Sequence, residues 1–323
     1  MNACIVGYGA IGPVHADALS QIEGVRLYAV CDTDQERADK GAKQYGAKAY
    51  YDFDACINDD AIEYVHICTP HYLHFEMITK ALDKGKRVIV EKPAVMKKSE
   101  LDMLFAQYDV SKIFPIVQNR KNTCIQALKE IIDKDKSIGA LKGIKGILTW
   151  SRDADYYHSA KWRGTKQYEG GGVLINQAVH TLDLMIYFAG NAESVYASMR
   201  NNFLRGVIEV EDTIDAYIEF KNGAKGIFYA TNAYTTNSLM QIELEFENRS
   251  FAYINGILIS DGKVICKDSS DFKGKSYWGN GHAKALFDFY EHHSTLSLAD
   301  IKPSMEAMFA IYESAQNGKK TLL

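Results

Sequence analysis

Gly7-Tyr8-Gly9-Ala10-Ile11-Gly12 constrains this chain more than any other stretch. It follows the apolar run Ala3-Cys4-Ile5-Val6 and leads into Pro13–Ser20. That segment reads as a helix, with Pro13 in the first turn, where its missing N–H is not needed. A G-x-G-x-x-G between strand and helix has a specific physical use. Gly7 permits a tight turn, Gly9 lets the backbone approach a pyrophosphate, and Gly12 lets helix and strand pack closely. The helix start then offers free N–H groups and the positive end of its dipole to phosphates. The pattern implies a dinucleotide site built on Gly7, Tyr8, Gly9, Ala10, Ile11 and Gly12.

The alternation of strand and helix then repeats. Strand-like runs at Val25–Cys31, Tyr64–Cys68, Arg87–Val90 and Ile113–Val117 are separated by helical segments at Gln35–Tyr45, His71–Lys84 and Ser99–Tyr108. Strand and helix at this spacing predict a parallel sheet with right-handed crossovers. The expected fold is therefore α/β, with a doubly wound Rossmann domain over residues 1–120. Asp32 ends the second strand 20 residues after Gly12. A carboxylate there accepts from a ribose 2′-OH and repels a 2′-phosphate, which favours NAD over NADP. Arg37 stands nearby as a second cofactor candidate, able to pair a phosphate; a solvated helix face is the plainer reading.

Residues 121–323 change character and read as an α+β domain. Strand patterns at Gly143–Trp150, Ser194–Met199, Thr213–Phe220, Lys225–Ala230, Gln241–Phe246 and Arg249–Ile254 alternate polar and apolar positions, and Asn222-Gly223 suits a hairpin turn. Helical patterns lie near Val173–Phe188, His282–His293 and Ser304–Gln316. An open, mostly antiparallel sheet with one uncovered face is the expected architecture, and that face is a candidate surface for a homodimer or homotetramer.

Composition excludes other classes. With 37 basic against 41 acidic residues the net charge is −4, so no nucleic-acid partner is expected. No apolar run approaches the roughly 20 residues of a membrane span. Met1–Val6 has no basic stretch, so no signal peptide and a cytoplasmic location are expected. The six cysteines form no C-x-x-C pair and read as reduced, buried thiols. No H-E-x-x-H or paired Cys/His spacing suggests a metal.

Chemistry concentrates at three places. Thr69-Pro70 and His74 follow one strand, and Glu91-Lys92-Pro93 ends the next, at the edge where open α/β sheets bind ligands. Gly170-Gly171-Gly172 leads into a helical pattern that sets Asn176 and His180 four apart, on one face. Oxidising a secondary alcohol needs a base for its proton and a positive charge beside the developing alkoxide. Lys92 can supply the charge and His180 the base, or Lys92 can be the base if burial lowers its pKa. The plainer alternatives are a surface lysine and a core histidine. Tyr156-Tyr157 and Trp162-Arg163 precede the glycines. Aromatics stack on sugars and Arg163 can hold a phosphate or carboxylate, although a loop stapled by Trp162 fits equally well. His66 is most simply structural, and His292-His293 reads as a solvated helix end.

Together these motifs make the chain similar to the Gfo/Idh/MocA family of NAD(P)-dependent oxidoreductases over nearly its whole length. The resemblance implies NAD as cofactor and hydride transfer at a secondary alcohol carbon of a sugar, cyclitol or sugar nucleotide. It implies catalytic roles for Lys92 and His180. It places Thr69, Pro70, His74, Glu91, Lys92 and Asn119 near the cofactor, and Asn176, Tyr157, Arg163 and His282 near the substrate, with Tyr277 a further position before the late helix. Many members carry Asp where this chain has Asn176, which shifts proton transfer toward His180 and Lys92. The family also leaves two other functions open: an NAD-dependent glycosidase working by transient oxidation and elimination, and a non-catalytic NAD-binding sugar sensor.

Overall fold

The computed structural model describes residues 1–238, 240–268, 281–291 and 296–323; Tyr277, His292 and His293 lie outside them. The chain begins β1 (Asn2–Val6), α1 (Gly12–Leu19), β2 (Arg26–Cys31), α2 (Gln35–Tyr45), β3 (Lys48–Tyr50), α3 (Phe53–Ile57), β4 (Tyr64–Ile67), α4 (His74–Asp83), β5 (Arg87–Val90), α5 (Lys98–Gln107) and β6 (Ile113–Pro115). The six strands form one sheet in the order β3-β2-β1-β4-β5-β6, and every neighbouring pair is parallel. Strand order reverses between β1 and β4, the switch point whose carboxyl-end crevice takes ligands in such sheets. Ala3, Cys4 and Ile5 are fully buried, as a strand covered on both faces requires. The Asp34 side chain caps α2, and Gly46 ends it in the left-handed region at φ +64°. The short β3 and α3 have no counterpart in the sequence pattern; three residues of edge strand carry too little periodicity to be read.

The remainder comprises α6 (Thr123–Lys134), β7 (Leu141–Thr149), α7 (Ala154–His158), a π-helical turn (Leu174–Ala178), α8 (Val179–Ala189), β8 (Ala192–Arg200), β9 (Thr213–Phe220), β10 (Lys225–Thr231), β11 (Gln241–Phe246), β12 (Ser250–Ile254), β13 (Ile257–Ser260), β14 (Lys263–Lys267), α9 (Gly281–Tyr290), α10 (Leu298–Asn317) and β15 (Thr321–Leu322). Among the described residues a second sheet has nine strands in the order β14-β13-β12-β11-β7-β10-β9-β8-β15. It is antiparallel except for the β7–β10 pair. One face is covered by α8. A Cβ at Gly146 would collide with Met185 of α8, so this glycine gives the helix room to lie close, and one at Gly226 would collide with Phe220 of β9. The opposite face carries the cross-strand ion pair Lys145–Glu243 (2.7 Å) and exposed Tyr196, Tyr217 and Ile227.

The chain divides into two compact units, Met1–Gln118 with Asn280–Asp300, and Asn119–Gly279 with Ile301–Leu323. This differs from a single cut near residue 120, because α9 returns to the first unit. Its Leu286 and Tyr290 are buried in the core with Ile5, Ala16, Leu19 and Ile89, and Ala283 and Phe287 pack against that core. A helix pattern in the sequence announces an apolar face but not the core it joins. Leu286→Ala should therefore destabilise the first unit by about 2–5 kcal/mol, the cost of an unfilled core site. Denaturant unfolding followed by fluorescence checks this; a loss below about 0.5 kcal/mol would show that α9 is not part of that core.

Candidate active site

In the first unit the glycine loop has the geometry its sequence requires. Gly7 adopts φ +88°, and a Cβ there would stand 2.7 Å from Cys68 O. Gly12 packs directly on the Gly7 carbonyl, whereas the space above Gly9 is open. No side chain caps α1, whose N-terminus follows exposed Gly9 and Ala10, so the first-turn N–H groups face outward. Asp32 receives the Tyr8 N–H at Oδ2 (2.7 Å) and the Asp34 N–H at Oδ1 (2.9 Å). The carboxylate is thus fixed beside the loop with lone pairs remaining for hydroxyl donors. The open ground over Gly9, the uncapped helix start and this carboxylate fit a dinucleotide's pyrophosphate and ribose. Tyr8 contributes its backbone, because its ring is buried against Gly41 of α2. Arg37 is engaged with Asp34 on the surface (3.2 Å).

Glu91 and Lys92 emerge from the end of β5. The Glu91 carboxylate is 6% exposed. Its Oε1 lies 3.0 Å from His15 Nε2 on α1 and 3.2 Å from His282 Nε2 on α9, and its Oε2 is 3.3 Å from the Lys92 N–H. Burial works to raise the Glu91 pKa, but the hydrogen bonds from His15 and His282 outweigh it and hold the carboxyl well below the usual range. The network continues inward, with His15 Nδ1 to His66 Nδ1 at 2.9 Å and His66 Nε2 to the Tyr290 hydroxyl at 2.7 Å. One set of tautomers satisfies every contact. Tyr290 donates to His66 Nε2, His66 Nδ1–H donates to His15, and His15 Nε2–H donates to Glu91. Burial first, then the neighbouring His15, keeps the His66 pKa well below its ordinary value, in keeping with this neutral relay.

His74 is fully buried, with its ring nitrogens 2.7 Å from Pro93 O and 2.9 Å from Thr69 O. Carbonyl oxygens only accept, so the neutral ring donates to one of the two, and it sits between the loops after β4 and β5 with neither nitrogen turned outward. His282, expected at the substrate, is buried in the first unit with its Nε2 3.2 Å from Glu91 Oε1.

In the second unit, the three glycines let a helix start against buried carboxylates. A Cβ on Gly172 would collide with the Glu211 carbonyl, and one on Gly171 with the Tyr312 hydroxyl. Glu211 accepts the N–H groups of Gly172 (2.9 Å) and Leu174 (3.1 Å) and the Tyr312 hydroxyl (2.8 Å), which satisfies orphan donors of the first turn. Burial nonetheless pushes the Glu211 pKa up. Glu169, 1% exposed, accepts from Gly164 N and from the Asn176 side chain. The helix then opens into the π turn Leu174–Ala178 before α8. A π turn closes i→i+5, so the simple four-residue register expected between Asn176 and His180 does not hold. His180 is the second residue of α8 and half-buried. Asp183, one turn on, holds Arg120 through two bonds (2.8 and 2.6 Å) and accepts from Ser304 (2.7 Å). Asn119 sits half-buried in the short turn before Arg120. Tyr157, expected to stack on substrate, is instead 3% exposed, packed with Leu204, Ile208 and Val210, and its hydroxyl accepts from Asn232 at 2.9 Å. Its neighbour Tyr156 is half-exposed, bonded to Arg163 and to Gln177 (3.1 Å).

Comparison with known proteins agrees with this construction. Residues 1–111 match the model of an oxidoreductase family with an NAD-binding Rossmann fold, and residues 125–252 match the GFO/IDH/MocA C-terminal domain. The chain belongs to the Gfo/Idh/MocA family. Among characterised members it is 25% identical to levoglucosan dehydrogenase of Pseudarthrobacter phenanthrenivorans, over 78% of this chain and 73% of that protein. It is 23% identical to myo-inositol 2-dehydrogenase of Thermotoga maritima, over 94% and 86%. The WlbA dehydrogenase of Bordetella pertussis, solved with NADH and UDP-GlcNAcA, superposes with a TM-score of 0.85 over 100% of this chain and 98% of that one, at 24% identity, and so shares its fold.

Several residues of this Gfo/Idh/MocA site carry no sequence signal of their own. Glu169, Glu211 and Tyr312 stand outside any motif, and only their burial and hydrogen bonds identify them. The buried histidines have a consequence for stability. His66 and His74 are both depressed by burial, the latter against the pull of two carbonyls, with the Lys92 charge adding to the depression. The unfolded chain protonates first as pH falls through about 6.5, so stability present above that value is lost below it, at up to about 1.4 kcal/mol per pH unit for each group. Thermal melts from pH 8 to 5 should fall below pH 6.5, less steeply in a His66→Gln variant. A flat profile would contradict neutral burial.

Proposed function

We propose that this chain is an NAD-dependent dehydrogenase acting on a secondary alcohol carbon of a sugar, cyclitol or sugar nucleotide. The observation that carries the reading is the fixed exit of Lys92 from β5. The preceding Glu91 is clamped by His15, a residue of the same helix whose start forms the phosphate loop. NAD, when bound, supplies the hydride acceptor. Gly7–Gly12 and the start of α1 would hold its pyrophosphate and Asp32 its ribose hydroxyls, with the Thr69-Pro70 turn of the same unit beside them. Lys92 places a positive charge beside the substrate oxygen as its proton leaves. His180 takes that proton, and Asn176, itself held by Glu169, positions the sugar hydroxyl. The relatives named above support the reaction class.

Two finer points belong to the same reading. All six cysteines are free, which suits the reducing cytoplasm, and no helix among the described residues is long and apolar enough to cross a membrane. The uncovered sheet face, with Tyr196, Tyr217 and the 59% exposed Ile227, is the surface on which a homodimer or homotetramer forms.

A screen of sugars, inositols and UDP-sugars with NAD, read by NADH absorbance, tests the activity. On the substrate it identifies, Lys92→Met should lower turnover about a hundredfold or more while NADH binding, followed by fluorescence, is retained. Undiminished turnover would remove Lys92 from the chemistry. Ile227→Glu places a charge in the proposed contact and should shift the protein toward monomer by light scattering after size exclusion. An unchanged mass would locate the interface elsewhere.

A further inference from the structure

The first turn of α6 and strand β14 bring two thiols together in the second unit. Cys124 and Cys266, 142 residues apart in sequence, are both free, and the Cys266 S–H donates to Cys124 Sγ at 2.6 Å. The Cys124 S–H in turn donates to Gly256 O (3.6 Å). The backbone holds the pair together without help from sulfur. Asp268, just after Cys266 in the chain, accepts the Cys124 N–H at Oδ1 (2.8 Å) and the Tyr253 hydroxyl at Oδ2 (2.7 Å), and its own N–H donates to Gly256 O (2.7 Å). Cys266 itself pairs with Leu258 of β13 in the sheet.

Contact alone does not make a thiol pair reactive, because an oxidant must also reach it. In the first unit Cys4 and Cys56 touch as well, at 3.0 Å, but both are 0% exposed. Cys124 is sealed to the same degree, whereas Cys266 is partly exposed on β14, the edge strand of the described sheet. The two members of the pair therefore differ in role. Burial first, then the hydrogen bond with Cys266 and the charge of Asp268, push the Cys124 thiol up, so it keeps its proton until the partner sulfur is activated. Oxidation leaves Gly256 O satisfied, since that carbonyl keeps the Asp268 N–H when the Cys124 S–H is lost.

We propose that Cys124 and Cys266 are a hydroperoxide-sensitive dithiol that closes to a disulfide, stapling the first turn of α6 to the sheet edge. The Cys266 sulfur attacks the peroxide and breaks its O–O bond. It gains a hydroxyl as sulfenic acid, and its proton leaves on the other oxygen as water or an alcohol. The Cys124 sulfur then bonds to the Cys266 sulfur, and the Cys124 proton departs with that hydroxyl as a second water. The two thiols lose two electrons, the peroxide gains them, and a dithiol reductant reverses the step by exchange. Transient disulfides of this kind are the ones a reducing compartment allows. The staple closes a long loop, so it constrains the unfolded chain and adds stability to the second unit. It also fixes α6 close behind Arg120, the residue that holds Asp183 of α8.

Thiol titration of the full chain tests the pair. The protein is reduced, freed of reductant, exposed to hydrogen peroxide and titrated in denaturant. Free thiols should fall from six to four and return to six with dithiothreitol. Peptide mass spectrometry should find Cys124 and Cys266 joined within one chain. The oxidised form should melt about 5 °C or more above the reduced one. Cys124→Ser should leave Cys266 as a sulfenic acid that dimedone traps, and Cys266→Ser should leave Cys124 unreacted. Six thiols surviving peroxide, a link between other cysteines or between two chains, or a loss that dithiothreitol does not reverse would overturn the proposal, and none of these outcomes needs a variant to fold. An oxidised form that melts no higher would overturn the stabilising staple. Turnover with NAD is read separately: closure of the disulfide in a protein that oxidises no sugar would count against the dehydrogenase reading alone.

Discussion

A buried carboxylate at a strand end is the constraint on which the first unit is built. An isolated charge with the burial of Glu91 would cost several kcal/mol, and that cost disappears only if donors are brought to it. Here they come from two helices far apart in sequence, His15 on α1 and His282 on α9. Satisfying Glu91 therefore fixes where α1 starts relative to β5, and with it the phosphate loop relative to Lys92. It also gives a physical reason for the chain to return: α9 brings a second donor as well as the apolar face that fills the core over Ile5 and Leu19. The relay behind it, through His66 to Tyr290, needs no buried net charge on the histidines, since each ring donates once and accepts once.

The second unit solves its own positioning problem with the same device. Glu211 and Glu169 are buried acids that accept from the backbone N–H groups of Gly172, Leu174 and Gly164 and from the Asn176 side chain, at and just before the start of the helix that leads into α8. The glycines allow this approach, and the helix answers by opening into a π turn before regular α-helix resumes. Asp183 then anchors α8 from within by its paired bonds to Arg120. A carboxylate buried for structure has its lone pairs occupied. These acids therefore serve to hold the helix, on which His180 is half-buried.

Much of this architecture is legible in the residues alone. Gly7–Gly12, Asp32 and the strand–helix alternation state their own geometry, because each residue type answers a local backbone requirement. The open sheet is likewise visible in alternation with period two. What stays hidden is partnership across sequence distance. His282 and His74 look like site residues in sequence, yet their rings lie buried beside Glu91 and between the Thr69 and Pro93 carbonyls. Tyr156 and Tyr157 are adjacent and chemically identical, and only the inward turn of one toward Leu204 and Ile208 decides which can meet a ligand. The π turn escapes for a related reason: its cause, the Glu211 cradle, is 37 residues from Leu174.

The division of labour between segments bears on how a family with one reaction serves many sugars. The groups assigned to proton and charge handling, Lys92 and His180, sit on a strand end and a helix, elements whose positions are over-determined by buried acids. Tyr156 and Arg163 sit on the loop and short helix between β7 and the π turn, joined to that turn by side-chain bonds through Gln177 and Asn232. A loop held by side-chain bonds can change in sequence while the buried acids at the start of the helix keep its geometry, which accords with identities near 25% to a levoglucosan dehydrogenase and a myo-inositol 2-dehydrogenase.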